Sequence, residues 1–299
     1  MENYQKILTV IVPVYNEAQI LPEIIPTMLG FCEQNNWEVI FVNDGSQDGS
    51  REILSRYSGK PNVQVINHKI NQGYGGAIKS GIQNVQTPYL VTIDADGQHG
   101  LEDITVLLRY ALDQDADMVV GNRGKSGNID PYRTIGKRLI RLFTRILMPL
   151  PIQDLNSGFK LYRTDLAQKY IAVCPNSMSF SDVITLIFIN QRNLVLEHPI
   201  TIIPRKVGKS TINTYTAFET ILEILNLALM FDPLRIFMPF AIFCILIGLV
   251  WGTIILLVVG RGVSVGAMLA IVTGLIFFVL GLLANQIAAM RMENLQKDS

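Results

Sequence analysis

The sequence predicts an α/β domain built on a mainly parallel sheet, followed by interfacial helices and a two-helix transmembrane hairpin. Three observations predict it. β-Branched runs alternate with helix-period segments through residues 1–123, polar motifs follow successive strand candidates, and charge nearly vanishes from the end of the chain.

Taken in order, the strand candidates are Ile7–Val14, Val39–Asn43, Val63–Ile66, Leu90–Asp94 and Met118–Val120. Between them, Ala18–Gln34, Ser50–Tyr57, Gly76–Val85 and Glu102–Leu112 place apolar residues at helical spacing. Ligands of such sheets sit beyond the carboxyl ends of the strands. There the sequence puts Tyr15-Asn16-Glu17, Asp44-Gly45-Ser46, Asn71-Gln72-Gly73, Asp94-Ala95-Asp96 and Gly121-Asn122-Arg123, more chemistry than a scaffold needs.

Residues 124–153 mix Arg133, Lys137, Arg138, Arg141 and Arg145 with apolar residues, as an interfacial helix facing anionic headgroups would. A solvated basic face is the plainer reading of the same pattern. Residues 194–206 read as further strands, and Thr214–Met230 as a second interfacial helix. From Ile236 to Gly260 run 25 residues without a charge, and from Gly262 to Met290 another 29. About 20 apolar residues cross a hydrocarbon core, so each run is long enough. The expected domains are therefore 1–212, a juxtamembrane helix 213–233, spans within 234–290 and a cytosolic tail 291–299. No leader-like pattern precedes the first strand, so the expectation is a multi-pass protein of an inner or plasma membrane with residues 1–212 in the cytosol.

Composition excludes several classes. Among 299 residues Lys+Arg and Asp+Glu number 25 each, without the basic excess of nucleic-acid binders. Cys32, Cys174 and Cys244 are scattered and offer neither a disulfide framework nor a zinc site. No G-x-S-x-G elbow or H-E-x-x-H helix is present. Of the histidines only His99 is placed for function; His68 and His198 read as structural or solvated.

The chemistry concentrates in a few residues. Asp94 and Asp96 end an apolar strand and the chain turns at Gly97, so both could reach one hard cation, Mg²⁺ or Mn²⁺, with Gln98 adding an amide oxygen. Alone, such a pair is only a polar turn; its place beyond a strand of an α/β sheet favours the metal. Asn71–Ala77 opens a helix with three glycines, where backbone N–H groups suit phosphates, and Lys79 follows one turn later. A tight turn with a solvated lysine explains the same residues. Arg123, Arg133 and Arg205–Ser210 supply phosphate-matching donors.

Together these motifs resemble the family 2 glycosyltransferases, in particular the polyprenyl-phosphate sugar synthases typified by dolichol-phosphate mannose synthase. The matching text is Val12–Glu17, Val42–Ser46 with Asp48–Ser50, Asn71–Gly81, Asp94–His99, Gly121–Arg123, Asp154–Phe159 and Arg205–Ser210. The resemblance spans about residues 5–212 and implies a GT-A-like nucleotide-sugar-binding sandwich. It implies that Pro13, Tyr15, Glu17 and Asp44 hold the donor's base and ribose, with Gly73, Lys79 and Ala95 also on the donor. It further implies a metal on Asp94, Asp96 and Gln98, and an acceptor phosphate gripped by Arg123, Arg133, Arg205 and Ser210. Asp154 takes the position of a candidate base, or of a residue that orients a ligand.

On this resemblance the chain moves one sugar, from a UDP-sugar or from GDP-mannose, to undecaprenyl or dolichyl phosphate with inversion. Asn43 departs from the acidic residue many relatives carry, which bears on base and ribose contacts. The Gln-x-x-Arg-Trp signature of processive synthases is absent. Transfer to another lipid, and a non-catalytic nucleotide-sugar scaffold, are the alternatives. Gly248, Gly252, Gly274 and Gly281 would allow close packing of spans, a homo-oligomer included.

Overall fold

In a computed structural model the described residues are 6–124, 152–201, 229, 232–260 and 264–297. The chain divides into two compact units, Met1–Asn128 with Leu150–Thr211, and Ile129–Pro149 with Ile212–Ser299.

The first unit is a three-layer α/β/α sandwich. Its strands are β1 (Leu8–Val14), β2 (Glu38–Asn43), β3 (Val63–Asn67), β4 (Tyr89–Thr92), β5 (Met118–Asn122), β6 (Lys160–Arg163) and β7 (Val195–Pro199). They form one sheet in the order β3-β2-β1-β4-β6-β5-β7. Every described pairing is parallel except those of β6, which runs against β4 and β5. Strand β1 is buried almost throughout, as a strand covered on both faces must be. Val10, Val12 and Val14 pack with Leu21, Ile25 and Met28 of helix α1 (Leu21–Gln34) and with Ile104 and Leu107 of α4 (Leu101–Gln114), beside α2 (Ser50–Ser55). On the opposite face α3 (Tyr74–Gln83) comes so close that a Cβ on Gly81 would lie 2.5 Å from Ile11. Each buried aliphatic side chain contributes about 1.5–3 kcal/mol, so this double-sided core fixes the sheet beneath the loops at its edge.

The strands and helices expected within residues 1–123 are present, with shifted ends, and β7 lies in the expected 194–206 stretch; the rest of that stretch lies outside the described residues. Helix α1 begins at Leu21 rather than Ala18, because the N–H groups of Asn16, Glu17 and Ala18 donate to side chains of residues 46–50 instead of entering a helix. Strand β4 stops at Thr92, which leaves Asp94 and Asp96 on the following turn. Unforeseen were β6, α5 (Thr164–Tyr170) and α6 (Phe180–Asn190). The reversed β6 matters most. Its amino end pairs Lys160 with Thr92 and Val120, and so delivers residues 157–160 to the carboxyl edge of the parallel strands.

In the second unit α7 (Leu234–Val259) and α8 (Val265–Lys297) contain candidate spans Leu234–Val258 and Val265–Met290. Only 11% and 17% of their most apolar windows are buried. Apolar helices this exposed are unlike the core helices of a soluble protein, and hydrocarbon is the solvent that suits them. They pack on each other through glycine. A Cβ on Gly248 would lie 2.8 Å from the Ala267 carbonyl, and one on Gly274 2.8 Å from that of Ala241. Gly252 and Gly281 likewise face the other span, so the small residues serve the hairpin itself. Helix α8 continues to Lys297, past the expected end of the span.

Candidate active site

The loops at the carboxyl edge are bound to one another before any ligand is considered. After β1, Asn16 takes a left-handed φ of 56° and accepts from the Gln47 N–H. Asp48 accepts from Ala18 N–H and from the Ser50 hydroxyl. Burial pushes the Asp48 carboxyl up, yet these bonds outweigh it and hold its pKa low. The turn bearing Tyr15 and Glu17 is thus fastened to the turn after β2. Tyr15 keeps 48% exposure, leaving a ring face open at the sheet edge, and Pro13 and Glu17 are half-buried beside it.

Asp44 is buried and its carboxylate is bonded inward. Oδ1 meets His68 Nδ1 at 2.7 Å and the Gln72 N–H at 2.8 Å; Oδ2 accepts from the Gly73 N–H at 3.0 Å. His68 in turn meets Ser80 at 2.8 Å. Asp44 therefore orders the glycine turn that opens α3, in addition to any contact with a donor. Gly73 is required there: φ is 88°, and a Cβ would lie 2.5 Å from the Asn176 carbonyl. Lys79 donates to Asn176 Oδ1 at 2.8 Å, tying α3 to the 175–179 turn.

Beyond β4, Asp94 is half-buried, its side chain keeping 37% exposure. Burial, opposed by His99 and reinforced by Asp96, raises its pKa. Burial and the neighbouring Asp94 charge push the Tyr74 hydroxyl up. Gly158 comes so near that a Cβ would lie 2.8 Å from Tyr74 Oη and 3.0 Å from Asp94 Oδ2. His99 Nε2 stands 4.0 Å from Asp94, its ring stacked on Phe159 with centroids 5.0 Å apart. His99 Nδ1 is buried without a hydrogen-bond partner among the described residues. Ala95 is buried, and Asp96 accepts from the Gln98 N–H at 3.1 Å.

This donor set fits a divalent cation. The Asp96 charge adds to the cost of ionising Asp94, a cost that a cation would relieve, and Gln98 carries a hard amide oxygen two residues on. No cluster of three His, Cys, Asp or Glu side chains suited to a metal occurs among the described residues.

At the end of β5, Arg123 grips Asp154. Nε donates to Oδ2 and Nη2 to Oδ1, both at 2.8 Å; the backbone N–H adds a bond of 3.1 Å, and Nη2 reaches the Asn156 carbonyl at 3.0 Å. Burial raises the Asp154 pKa, but the Arg123 bonds and charge outweigh it and keep the carboxyl below its ordinary range. Arg123 retains 41% side-chain exposure. Arg133, Arg205 and Ser210 lie outside the described residues, as do nearly all of the basic segment 124–153 and of the juxtamembrane helix.

Tyr74, Ser181 and Lys160 also belong to this edge, although no motif gives them a role there. Lys160 carried the clearest signal, a lysine inside the apolar run Phe159-Lys160-Leu161-Tyr162.

The family model for glycosyl transferase family 2 matches residues 9–171, and that for the GtrB C-terminal hairpin matches residues 232–290. An undecaprenyl-phosphate 4-deoxy-4-formamido-L-arabinose transferase of Pectobacterium carotovorum is 28% identical over 77% of this chain and 70% of its own. A polyprenol monophosphomannose synthase of Mycolicibacterium smegmatis is 29% identical over 72% of this chain and 84% of its own. With a dolichyl-phosphate beta-glucosyltransferase of Trichomonas vaginalis the identity is 29%, and the match spans about half of either protein, 52%. Among solved structures, glucosyl-3-phosphoglycerate synthase from Mycobacterium tuberculosis, in complex with Mn²⁺, uridine diphosphate and phosphoglyceric acid, aligns at TM-score 0.56 and 16% identity. The alignment covers 75% of this chain and 78% of that one. At that identity the likeness speaks for the fold, a GT-A fold.

Proposed function

The chain belongs to glycosyl transferase family 2, and from that membership we propose that it transfers one sugar from a nucleotide-sugar donor to a polyprenyl phosphate. The product is a polyprenyl-phosphate-linked monosaccharide with inverted anomeric configuration. One observation carries this reading: a carboxylate pair suited to a diphosphate-bound cation and an anchored arginine stand at the same sheet edge, in a chain with two helices of membrane-crossing length. Relatives of the domain bear undecaprenyl phosphate or monophosphorylated polyprenol in their names.

In this reading the donor lies beyond β1 and β2. Its base and ribose rest on Pro13, Tyr15 and Glu17 and on the turn ordered by Asp44; its diphosphate extends past Gly73 and Ala95. A divalent cation held by Asp94, Asp96 and Gln98, Mg²⁺ or Mn²⁺, supplies charge neutralisation for the departing nucleoside diphosphate. Arg123, with Arg133, Arg205 and Ser210, holds the acceptor phosphate and aims one oxygen at the anomeric carbon. That oxygen forms the new bond as the bond to the donor diphosphate breaks. A phosphate monoester, with a second pKa of about 6, is largely ionised at neutral pH and has little need of a general base. Asp154, kept ionised by Arg123, is therefore assigned to orienting the guanidinium rather than to proton abstraction. The hairpin anchors the domain at the cytosolic face of the membrane, where the acceptor's headgroup lies.

The test is transfer of label from a panel of radiolabelled UDP- and GDP-sugars to undecaprenyl phosphate in detergent, with Mg²⁺, Mn²⁺ or chelator. Lipid-linked label from one donor, lost on chelation, is expected. Label on a glycerolipid instead would replace the acceptor. Nucleotide binding without transfer to any lipid would overturn the reading in favour of a scaffold.

A further inference from the structure

Lys160 is the first residue of the reversed strand and is fully buried. A lysine without water must find partners within the protein, because an unmet buried donor or charge is costly. Its Nζ donates to the Leu155 carbonyl at 2.7 Å, the Ser181 carbonyl at 2.5 Å and the Thr185 hydroxyl at 2.8 Å. Three acceptors match the three N–H bonds of an ammonium group. The Thr185 hydroxyl itself donates to Ser181, which closes the set.

These partners lie on the two elements that build the reacting edge. Leu155 is next to Asp154 in the loop that orients Arg123 and carries Gly158 against Asp94. Ser181 and Thr185 sit in the first turns of α6, where Phe180 packs so closely on α3 that a Cβ on Gly75 would lie 2.8 Å from it; Gly75 follows Tyr74, which stands with Asp94 against Gly158. One amino group thus joins the arginine side of the site to the carboxylate side.

We propose that Lys160 is a positioning residue for transfer, pinning the 154–158 loop to α6 so that Arg123 and Asp94 stand in register. It touches neither substrate, and the proposal rests on the transfer reading above. Burial lowers the pKa of Lys160 to about 7, opposed by the charges of Asp182 on α6 and Asp154 in the loop and assisted by Arg123. A neutral amine donates only two bonds to three acceptors, so the clamp loosens as pH rises through that value.

The experiment compares full-length Lys160→Met, Lys160→Arg and Thr185→Val with wild type in detergent. In Lys160→Met, kcat is expected to fall by about tenfold or more while the donor KM stays within about threefold, because the loss is of register rather than donor grip. Wild-type kcat should decline above pH 7, and Lys160→Arg, whose charge persists, should recover activity and remove that decline. Amide hydrogen exchange over residues 154–160 should accelerate in Lys160→Met, a readout independent of turnover. Unchanged kcat and unchanged exchange in a folded Lys160→Met overturn the proposal. If that variant does not fold, Thr185→Val decides: lower kcat with its decline at lower pH supports the clamp, and wild-type behaviour in both overturns it. Absence of transfer by wild type would sink the transfer reading, while the exchange comparison would still decide whether Lys160 holds the loop.

Discussion

Arg123 and Asp154 hold each other through two side-chain hydrogen bonds of 2.8 Å and a backbone bond of 3.1 Å, so neither can turn alone. Bidentate charge-assisted pairs fix direction as well as distance. Arg123, which the proposed function sets on the acceptor phosphate, is therefore pre-aimed by its own partner, and a role for Asp154 follows that needs no proton transfer.

Asp154→Asn should keep the fold but weaken the hold on Arg123. We expect kcat to fall by about 10–100-fold, comparable to losing a charge-assisted hydrogen bond or two, with the shape of the pH–rate profile unchanged. A general base would instead give an acidic limb, below the ordinary carboxylate value of 3.8, that disappears in the asparagine variant, and steady-state kinetics extended into that range would expose it.

Removing the carboxylates should separate binding from chemistry. Asp94→Asn and Asp96→Asn are expected to lower transfer by about a thousandfold, as loss of charge stabilisation at a leaving group does. Titration calorimetry with UDP or GDP, with and without Mn²⁺, should show metal-enhanced nucleotide affinity in wild type. The enhancement should be absent in both variants; its persistence would remove the metal assignment.

Gly158→Ala tests the close approach at Asp94. The added methyl would stand 2.8 Å from Tyr74 Oη and 3.0 Å from Asp94 Oδ2, beside the carboxylate that the proposed function sets under the donor diphosphate. Displacing a reacting group by about 1 Å can cost on the order of 100-fold in rate. Activity should fall far more than apparent Tm; an equal-activity variant would place the reacting edge elsewhere.

Stability should carry the imprint of Lys160. Its native pKa is lowered to about 7 from an ordinary 10.5, so between those values the unfolded chain binds a proton that the native chain lacks. Stability then decreases as pH falls from 10.5 to about 7, and this contribution is constant below that window. Cys32 and Cys174, pushed up to about 12 by burial, act in the opposite sense above their ordinary 9.0. Subtracting the Tm–pH curve of Lys160→Met isolates the lysine. A flat difference between pH 7 and 10 would contradict the burial effect.

Much of the architecture was legible in the sequence because periodicity is a local property. Val10, Val12 and Val14 alternate within seven residues, and the charge-free runs from Ile236 and Gly262 need no partner to be recognised. Asp94 and Asp96 were legible for the same reason: a short motif just beyond a strand reports its own position. The antiparallel β6 left no such trace, since its four residues acquire a direction only by pairing with Thr92 and Val120.

By itself, then, the sequence determined an α/β domain, its polar strand ends and two apolar helices, each encoded by the spacing of residues along a few turns or a few strands. Only the tertiary structure decided what those polar residues bond to. It turned Asp44 inward onto His68 and Gly73, paired Arg123 with Asp154, and set buried Lys160 between the 154–158 loop and α6. Hydrogen bonds between residues 20 or more positions apart depend on sheet order and strand direction, and no pattern along the chain specifies those before the strands have met.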